Sequence, residues 1–146
     1  MNKKGIIIID AKNMILGRLA SIAAKRLLEG ETIFIINAEK AVISGNPKSI
    51  FKEYKKTLNL RTLRNPDRGP KKHKSPNNIL RNTIKDMLPK DNSRGRNALH
   101  RLRVFIGSPE KYKNYPTIKF EEADAKNLSD KYVYLIDVSK QLGWRG

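Results

Sequence analysis

The first third of the chain contains two short apolar runs, and between them lies a segment whose apolar residues recur at helical spacing. Four isoleucines at residues 6–9 precede Asp10, a pattern typical of a strand buried on both faces of a parallel sheet. Residues 16–28 repeat apolar side chains at helical spacing, Gly30 follows them, and residues 32–36 form a second β-branched run. This order of strand, helix and strand predicts a right-handed parallel crossover.

Two further helices are expected in the middle of the chain, each opened by a proline. A short extended segment at residues 41–44 precedes a helix over residues 47–58, whose apolar face lies opposite its lysines. The second helix covers residues 76–87. Its inward-facing side chains are predicted to be Leu80, Ile84, Met87 and Leu88.

The pattern is weaker beyond the second of these helices. The polar residues 90–95 are typical of a loop, while a short helix is predicted over residues 96–102 and a strand over residues 104–106. In the mixed sequence that follows, we assign one further strand, at residues 132–138.

The alternation of strands and helices, with no internal repeat, indicates an α/β sandwich around a small parallel sheet. A length of 146 residues suits one domain over residues 1–146. Within it we distinguish a basic loop at residues 59–75 and a C-terminal extension at residues 110–146, whose topology the pattern leaves open.

The charge is strongly basic and unevenly distributed. Lys and Arg number 31 against 14 Asp and Glu, for a net charge of +17. Residues 61–103 alone carry 13 basic and 3 acidic side chains. This excess predicts a polyanionic partner, because each neutralised phosphate of a nucleic acid releases a counterion. A merely solvated surface explains it less well, since a small soluble domain rarely needs a net charge beyond about 8.

Cysteine is absent, which excludes disulfides, thiolate metal sites and a cysteine nucleophile. An intracellular protein is the default for such a chain. The apolar run at residues 6–9 is shorter than a signal peptide requires, and no stretch approaches the roughly 20 apolar residues that cross a bilayer. We therefore expect a soluble cytoplasmic protein without membrane contact.

The loop over residues 61–74 holds seven potentially cationic side chains in fourteen positions. Its prolines and glycine disfavour regular structure, so we expect it to become ordered against phosphates, with a solvated surface loop as the alternative. The candidate RNA-binding residues of this loop and the preceding helix are Lys55, Lys56, Arg61, Arg64, Arg68, Lys71, Lys72 and Lys74.

A second basic group lies within residues 94–103. Arg96, His100 and Arg103 are spaced at i, i+4 and i+7, so a helix would present them on one face. Arginine suits bidentate contacts to phosphates and stacking on exposed bases. The alternative is the solvated face of an amphipathic helix.

Gly17 and Arg18 open a helix soon after a strand, which is a place where a phosphate can bind. The glycine motifs of soluble nucleotide sites are absent, so we expect Gly17 to permit close helix–strand packing and Arg18 to contact an RNA phosphate. His73 and His100 lie in basic surroundings that disfavour a metal. We predict no cofactor, metal site or catalytic residue, although a triad assembled from distant residues stays open.

A set of motifs from about residue 7 to residue 109 resembles the family of ribosomal large-subunit protein thirteen in order and spacing. The segments 65–70 and 94–109 look like its archaeal and eukaryotic branch. The motifs are Asp10-Ala11-Lys12, Ile15-Leu16-Gly17-Arg18-Leu19-Ala20, Ile36-Asn37-Ala38-Glu39-Lys40-Ala41-Val42-Ile43-Ser44-Gly45, Met87-Leu88-Pro89, and Arg101-Leu102-Arg103-Val104-Phe105 with Gly107.

This resemblance implies a three-layer α/β/α fold on a parallel sheet of about four strands. It also implies a monomer within the large ribosomal subunit, where it binds rRNA beside neighbouring ribosomal proteins, supports early subunit assembly and translation, and has no catalytic activity or small-molecule substrate. One departure is Lys85-Asp86, where the family usually shows Arg-Gly, and the acid disfavours a phosphate contact at that turn. The family's RNA contacts would correspond here to Lys12, Arg18, Arg68, Arg94, Arg96, Arg101 and Arg103.

Two other classes of function fit the sequence less well. A DNA-binding or regulatory module would need a recognition helix or a dimer signature, and neither is evident. An enzyme acting on a phosphorylated substrate would need a pocket with a base or a metal, for which the sequence offers no supported candidate.

Overall fold

A computed structural model describes residues 5–60, 63–65, 67, 73–129 and 131–145. Its strands and helices alternate along the chain, as the sequence predicted. In chain order they are β1 (Ile6–Asp10), α1 (Leu16–Leu28), β2 (Thr32–Ile36), β3 (Val42–Ser44), α2 (Pro47–Leu58), α3 (Pro76–Asp86), α4 (Ser93–His100), β4 (Leu102–Val104), β5 (Thr117–Ile118), β6 (Tyr132–Tyr134) and α5 (Leu135–Gln141).

The central sheet has four parallel strands in the order β4-β2-β1-β5. β1 and β2 pair over their full length, from Ile6 opposite Thr32 to Asp10 opposite Ile36. β3 and β6 form a separate antiparallel pair. The predicted α/β fold on a four-stranded parallel sheet is therefore confirmed, and the predicted extended segment at residues 41–44 lies outside the main sheet.

One face of the central sheet packs against the helices and forms the main core. Helices α1 and α3 contribute the apolar faces that the sequence predicted, and each fully buried aliphatic side chain contributes about 1.5–3 kcal/mol to stability. The buried side chains at this interface include Ile9, Leu19, Leu27, Ile33, Ile35, Leu80, Ile84 and Leu102.

Aromatic side chains cover part of the opposite face. The ring of Phe34 on β2 lies 5.9 Å from that of Phe105 and 5.3 Å from that of Tyr112, measured between centroids. Tyr112 belongs to a short 3-10 turn, Glu110–Tyr112. The turn and the aromatic rings form a thin third layer over the sheet.

Several predicted boundaries and orientations were wrong at the level of single residues. Ile6 is exposed because it begins the strand, so β1 is not buried on both faces throughout. Met87, which was predicted to face inward, is 43% exposed just after the end of α3. Ile79, which was not predicted to face inward, is buried. Gly17 is exposed, and a β-carbon there would meet no atom of the described residues within 4 Å, so close packing does not explain this glycine.

Helix α4 begins three residues earlier than predicted. The side chain of Asn92 accepts a hydrogen bond from the backbone N–H of Arg94 at 2.9 Å and caps the helix. The helix ends at His100, and Leu102 pairs with Ile33 in the sheet, so the strand predicted at residues 104–106 lies at Leu102–Val104. Burial of Leu102 against the core outweighs the helical spacing of the segment.

The segment beyond Pro109 is interwoven with the N-terminal half of the chain. β5 extends the central sheet next to β1, and the amide of Ile15 donates to the carbonyl of Ala123 at 2.7 Å. The strand predicted at residues 132–138 was too long, because the chain turns into α5 where the backbone N–H of Leu135 donates a hydrogen bond to the carbonyl oxygen of Ala41 at 2.8 Å.

In the described ranges, no helix has the length and apolar character needed to cross a membrane.

Candidate nucleic-acid interface

The C-terminal end of α1 binds two of the predicted RNA-contacting arginines. Nη2 of Arg101 donates a hydrogen bond to the carbonyl oxygen of Leu27 at 2.6 Å, and Nη2 of Arg94 donates to that of Leu28 at 3.3 Å. The last carbonyls of a helix lack partners within the helix and carry a partial negative charge, which a guanidinium satisfies. Arg101 is partly buried and Arg94 is exposed, so Arg101 in particular has a structural role.

The other candidates of this basic group are exposed but do not share one helix. Arg96 and His100 lie on α4, four residues apart and therefore on one face of it. Arg103 lies on β4 opposite Phe34, on the face of the sheet that the aromatic rings cover. The predicted single-helix stripe of three side chains was wrong, because Arg103 belongs to the edge strand.

Lys12 and Arg18 form a second cationic group at the N-terminal end of α1. Oδ1 of Asp10 accepts hydrogen bonds from the backbone N–H of Lys12 and from Nδ2 of Asn37, both at 3.0 Å, and so orders the loop after β1. Nη1 of Arg18 donates to the carbonyl oxygen of Glu122 at 3.2 Å. Both candidates are exposed.

The two groups lie at opposite ends of α1. Arg18 and Leu28 are ten residues apart on the helix, which corresponds to a rise of about 15 Å. A nucleic acid that contacts both groups must therefore extend along the molecule. These two groups of cations therefore do not converge on one pocket.

A third set of candidates lies on α2 and in the basic loop. Lys55 and Lys56 are exposed on the last turn of α2, and Arg64 and Lys74 are exposed in the described parts of the loop. The remaining loop candidates lie outside the described residues: Arg61, Arg68, Lys71 and Lys72.

The described candidate cations do not take part in the ion pairs of the structure. Two ion pairs occur within the described part of the chain, between Arg26 and Glu31 at 3.7 Å and between Lys119 and Asp10 at 3.8 Å. Both use cations outside the candidate set. Apart from Arg18, Arg94 and Arg101, whose guanidinium groups donate hydrogen bonds to backbone carbonyls, the described candidates can therefore meet an external anion such as a phosphate.

A cavity of about 260 Å³ separates α2 from α3, and its chemistry differs from that of the basic surfaces. Glu53, Asp86 and His73 line this cavity. The sequence analysis expected purely basic surroundings for His73, and the two carboxylates show that this expectation was wrong. Tyr54 also lines it, and burial, together with the neighbouring Glu53, raises the pKa of this phenol. Asp86 lines this cavity and also a second one, whose lining includes the cations Lys85, Lys90 and Arg96.

Within the described ranges, no three His, Asp or Glu side chains are grouped so that they could hold a metal ion. The same ranges contain an exposed aromatic pair that the sequence analysis missed. Tyr132 and Tyr134 on β6 are 42% and 37% exposed, with ring centroids 6.0 Å apart. The signal was present as two aromatic residues flanking Val133 at strand spacing.

Comparisons with known proteins agree with this architecture. A family model described as ribosomal protein L13 matches residues 4–111. The large ribosomal subunit protein uL13 of Aeropyrum pernix is 42% identical over 141 residues, which cover 96% of this chain and 91% of that protein. Its counterpart in Saccharolobus solfataricus is 43% identical over 142 residues, covering 97% and 95% respectively. That of Methanosarcina barkeri is 47% identical over 138 residues, covering 93% and 96%.

These relatives come from archaea, in agreement with the predicted branch. The matched range contains the motif at Asp10-Ala11-Lys12, helix α1 and the basic segment that ends in β4. Family model, identity and coverage together show that the chain belongs to the ribosomal protein L13 family.

Proposed function

We propose that this chain is a structural constituent of the large ribosomal subunit and binds large-subunit rRNA through its exposed cations. Membership of the ribosomal protein L13 family is the observation that carries this proposal. The family is structural and not enzymatic, and its members work in the cytoplasmic ribosome. The chain would associate there as a monomer with rRNA and with neighbouring ribosomal proteins.

Three surfaces are proposed to contact the rRNA. The first consists of Arg96, His100 and Arg103 together with Arg94 near the C-terminal end of α1. The second is the ordered loop that carries Lys12, with Arg18 on the first turn of α1. The third comprises Lys55 and Lys56 on α2 and the basic loop, with its candidates Arg61, Arg64, Arg68, Lys71, Lys72 and Lys74.

Electrostatics favours an extended mode of binding. The net charge of +17 attracts RNA over long distances, while each surface supplies only a few local contacts to phosphates. Because the first and second surfaces lie about 15 Å apart along α1, each can hold a different stretch of the folded RNA. Binding of this kind would stabilise rRNA folding early in subunit assembly and so support translation.

Charge reversal tests the first surface without disturbing the fold. Arg96 and Arg103 are exposed, and within the described part of the chain their guanidinium groups make no hydrogen bond, unlike those of Arg94 and Arg101. We expect the double variant Arg96→Glu/Arg103→Glu to fold normally and to enter large subunits poorly in cells that also express the unaltered chain. The assay is the fraction of tagged protein that sediments with large subunits after a moderate salt wash.

A control with the same change of charge separates local contacts from net charge. Lys48 and Lys113 are exposed and lie outside the candidate set, so Lys48→Glu/Lys113→Glu alters the net charge equally. We expect this variant to be incorporated almost normally. Equal incorporation of both double variants would contradict the proposed role of the first surface.

A further inference from the structure

The short antiparallel pair β3–β6 presents two tyrosines on one side. Tyr132 and Tyr134 are two residues apart on a strand and therefore point to the same face, while Val133 between them is buried in the main core. Their rings meet edge to face, with an interplanar angle of 84° and a centroid distance of 6.0 Å. Because both residues remain more than a third exposed, this aromatic surface faces solvent.

The pair is held in place by the loop that carries a candidate RNA contact. The hydroxyl of Tyr134 donates a hydrogen bond to Oδ1 of Asn13 at 3.1 Å. The backbone of Asn13 is left-handed, with φ of 59°, and its backbone N–H donates a hydrogen bond to the carbonyl oxygen of Lys40 at 3.0 Å. Lys12 is the preceding residue and is exposed, so this cation lies on the same ordered loop as the contact to Tyr134. The surface thus combines two flat aromatic rings with one exposed cation, Lys12, on the loop that Tyr134 contacts.

We propose that Tyr132 and Tyr134 form a stacking site for an unpaired base of RNA, with Lys12 contacting a neighbouring phosphate. Aromatic rings bordered by cations are the usual means by which proteins hold single-stranded nucleic acid, because every base has a face that can stack. This inference rests on the proposed rRNA binding and specifies the kind of RNA structure that this part of the protein recognises.

The charge of the surface favours RNA over protein as the occupant. A protein partner that covered the two tyrosines would have to be acidic to match Lys12 and the net charge of +17, whereas rRNA supplies both the flat apolar base and the phosphates. The hydroxyl of Tyr134 is hydrogen-bonded to Asn13 within the protein. The exposed ring of Tyr134, and not its hydroxyl, is therefore the part that can contact a base.

Binding of the full-length chain to a single-stranded RNA octamer of adenosines tests the proposal at low and moderate salt. Tyr132→Leu removes the aromatic face but keeps an apolar side chain, and Tyr132→Phe keeps the face. We expect Tyr132→Leu to weaken binding about 5- to 150-fold, the usual loss for one stacked base, with little change in salt dependence. Tyr132→Phe should bind nearly as well as the unaltered chain.

The matched control is Tyr115→Leu. Tyr115 is 57% exposed but lies in the aromatic layer beside Tyr112, with ring centroids 6.0 Å apart. We expect this variant to bind the octamer normally. A loss equal to that of Tyr132→Leu would overturn the assignment of stacking to β6.

The outcomes distinguish this inference from the proposed function. If the unaltered chain binds the octamer with strong salt dependence and Tyr132→Leu binds equally well, the stacking site is wrong while electrostatic rRNA binding stands. If Tyr132→Leu binds the octamer normally but enters large subunits poorly, the surface docks a protein and the inference is overturned. If the unaltered chain binds neither the octamer nor rRNA fragments at low salt, both proposals fail.

Discussion

The guanidinium of Arg101 donates a hydrogen bond to the carbonyl oxygen of Leu27 at 2.6 Å and thereby caps the C-terminal end of α1. Arg94 reaches the next carbonyl, that of Leu28, at 3.3 Å. A basic segment that the sequence analysis assigned to RNA thus also holds the core helix in place. Part of the charge excess of residues 61–103 thus has a structural purpose beside the proposed contact with rRNA, and substitutions can separate the two.

Replacement of Arg101 tests the structural purpose. Its side chain is partly buried, and its Nε is buried as well. Loss of a charged hydrogen bond at a helix terminus should cost about 2 kcal/mol of unfolding free energy, so Arg101→Ala should lower the urea midpoint by about 1 M. The exposed Arg103→Ala is the control and should change stability by less than about 0.5 kcal/mol.

Equal stability of the two alanine variants would show that the Arg101 bond contributes little and that its role is confined to an external partner. Both variants should be compared as free chains, without rRNA, because bound RNA would stabilise the folded state of either one.

Gly95 and Gly17 should respond to the same substitution with opposite signs. The backbone of Pro89 packs directly against Gly95, in the first turn of α4. A β-carbon on Gly95 would overlap the carbonyl oxygen of Pro89. Gly95→Ala must displace the Pro89 backbone and should destabilise the protein by about 1–3 kcal/mol. Gly17 is helical and exposed, and a β-carbon there has open space among the described residues, so Gly17→Ala should stabilise by about 0.5–1 kcal/mol.

Thermal unfolding of the two variants beside the unaltered chain gives the signs directly. For a domain of this length, 1 kcal/mol corresponds to a shift in Tm of roughly 2–4 °C. A Gly95→Ala variant with unchanged Tm would contradict the close approach of Pro89 and α4.

The strongest elements were predictable from the sequence because local and global preferences agree in them. Ile8 and Ile9 of β1 and the helical repeat that ends before Gly30 satisfy both local propensity and burial, and Pro47 suits the first turn of α2. The structure confirms α1 and β2 at the predicted residues, 16–28 and 32–36.

The rest depended on contacts that sequence spacing does not reveal. Arg103 lies on a strand because Leu102 is drawn into the core beside Ile33, although both residues also fit a helical repeat. Likewise, Arg101 contacts a carbonyl 74 positions earlier in the chain, a partner that only the tertiary fold brings near. For candidate cations, the sequence supplied the charge but not the division into separate surfaces.

High pH should weaken the fold through Tyr54. Burial first, and Glu53 second, raise the pKa of its phenol in the folded state above the ordinary value of 10.0. The unfolded chain therefore loses this proton at lower pH than the folded chain, so unfolding free energy falls as pH rises above about 10.

Tyr54→Phe removes this titration while keeping the ring. Lysines of the unaltered chain also lose charge in this pH range, so the informative quantity is the difference between the two proteins. We expect the unaltered chain to lose more stability than Tyr54→Phe between pH 9 and pH 11, measured by urea unfolding. Identical pH profiles would contradict the burial of the Tyr54 hydroxyl.

Chemical protection of lysines and arginines in purified large subunits tests the central claim most directly. Reactivity of each side chain is compared between the free chain and the subunit, read by mass spectrometry. We predict strong protection of the candidate cations and little protection of Lys48 and Lys113. Candidates as reactive in the subunit as in the free chain would contradict the claim that exposed cations hold this protein on rRNA. The described residues to be scored are Lys12, Arg18, Lys55, Lys56, Arg64, Lys74, Arg94, Arg96 and Arg103.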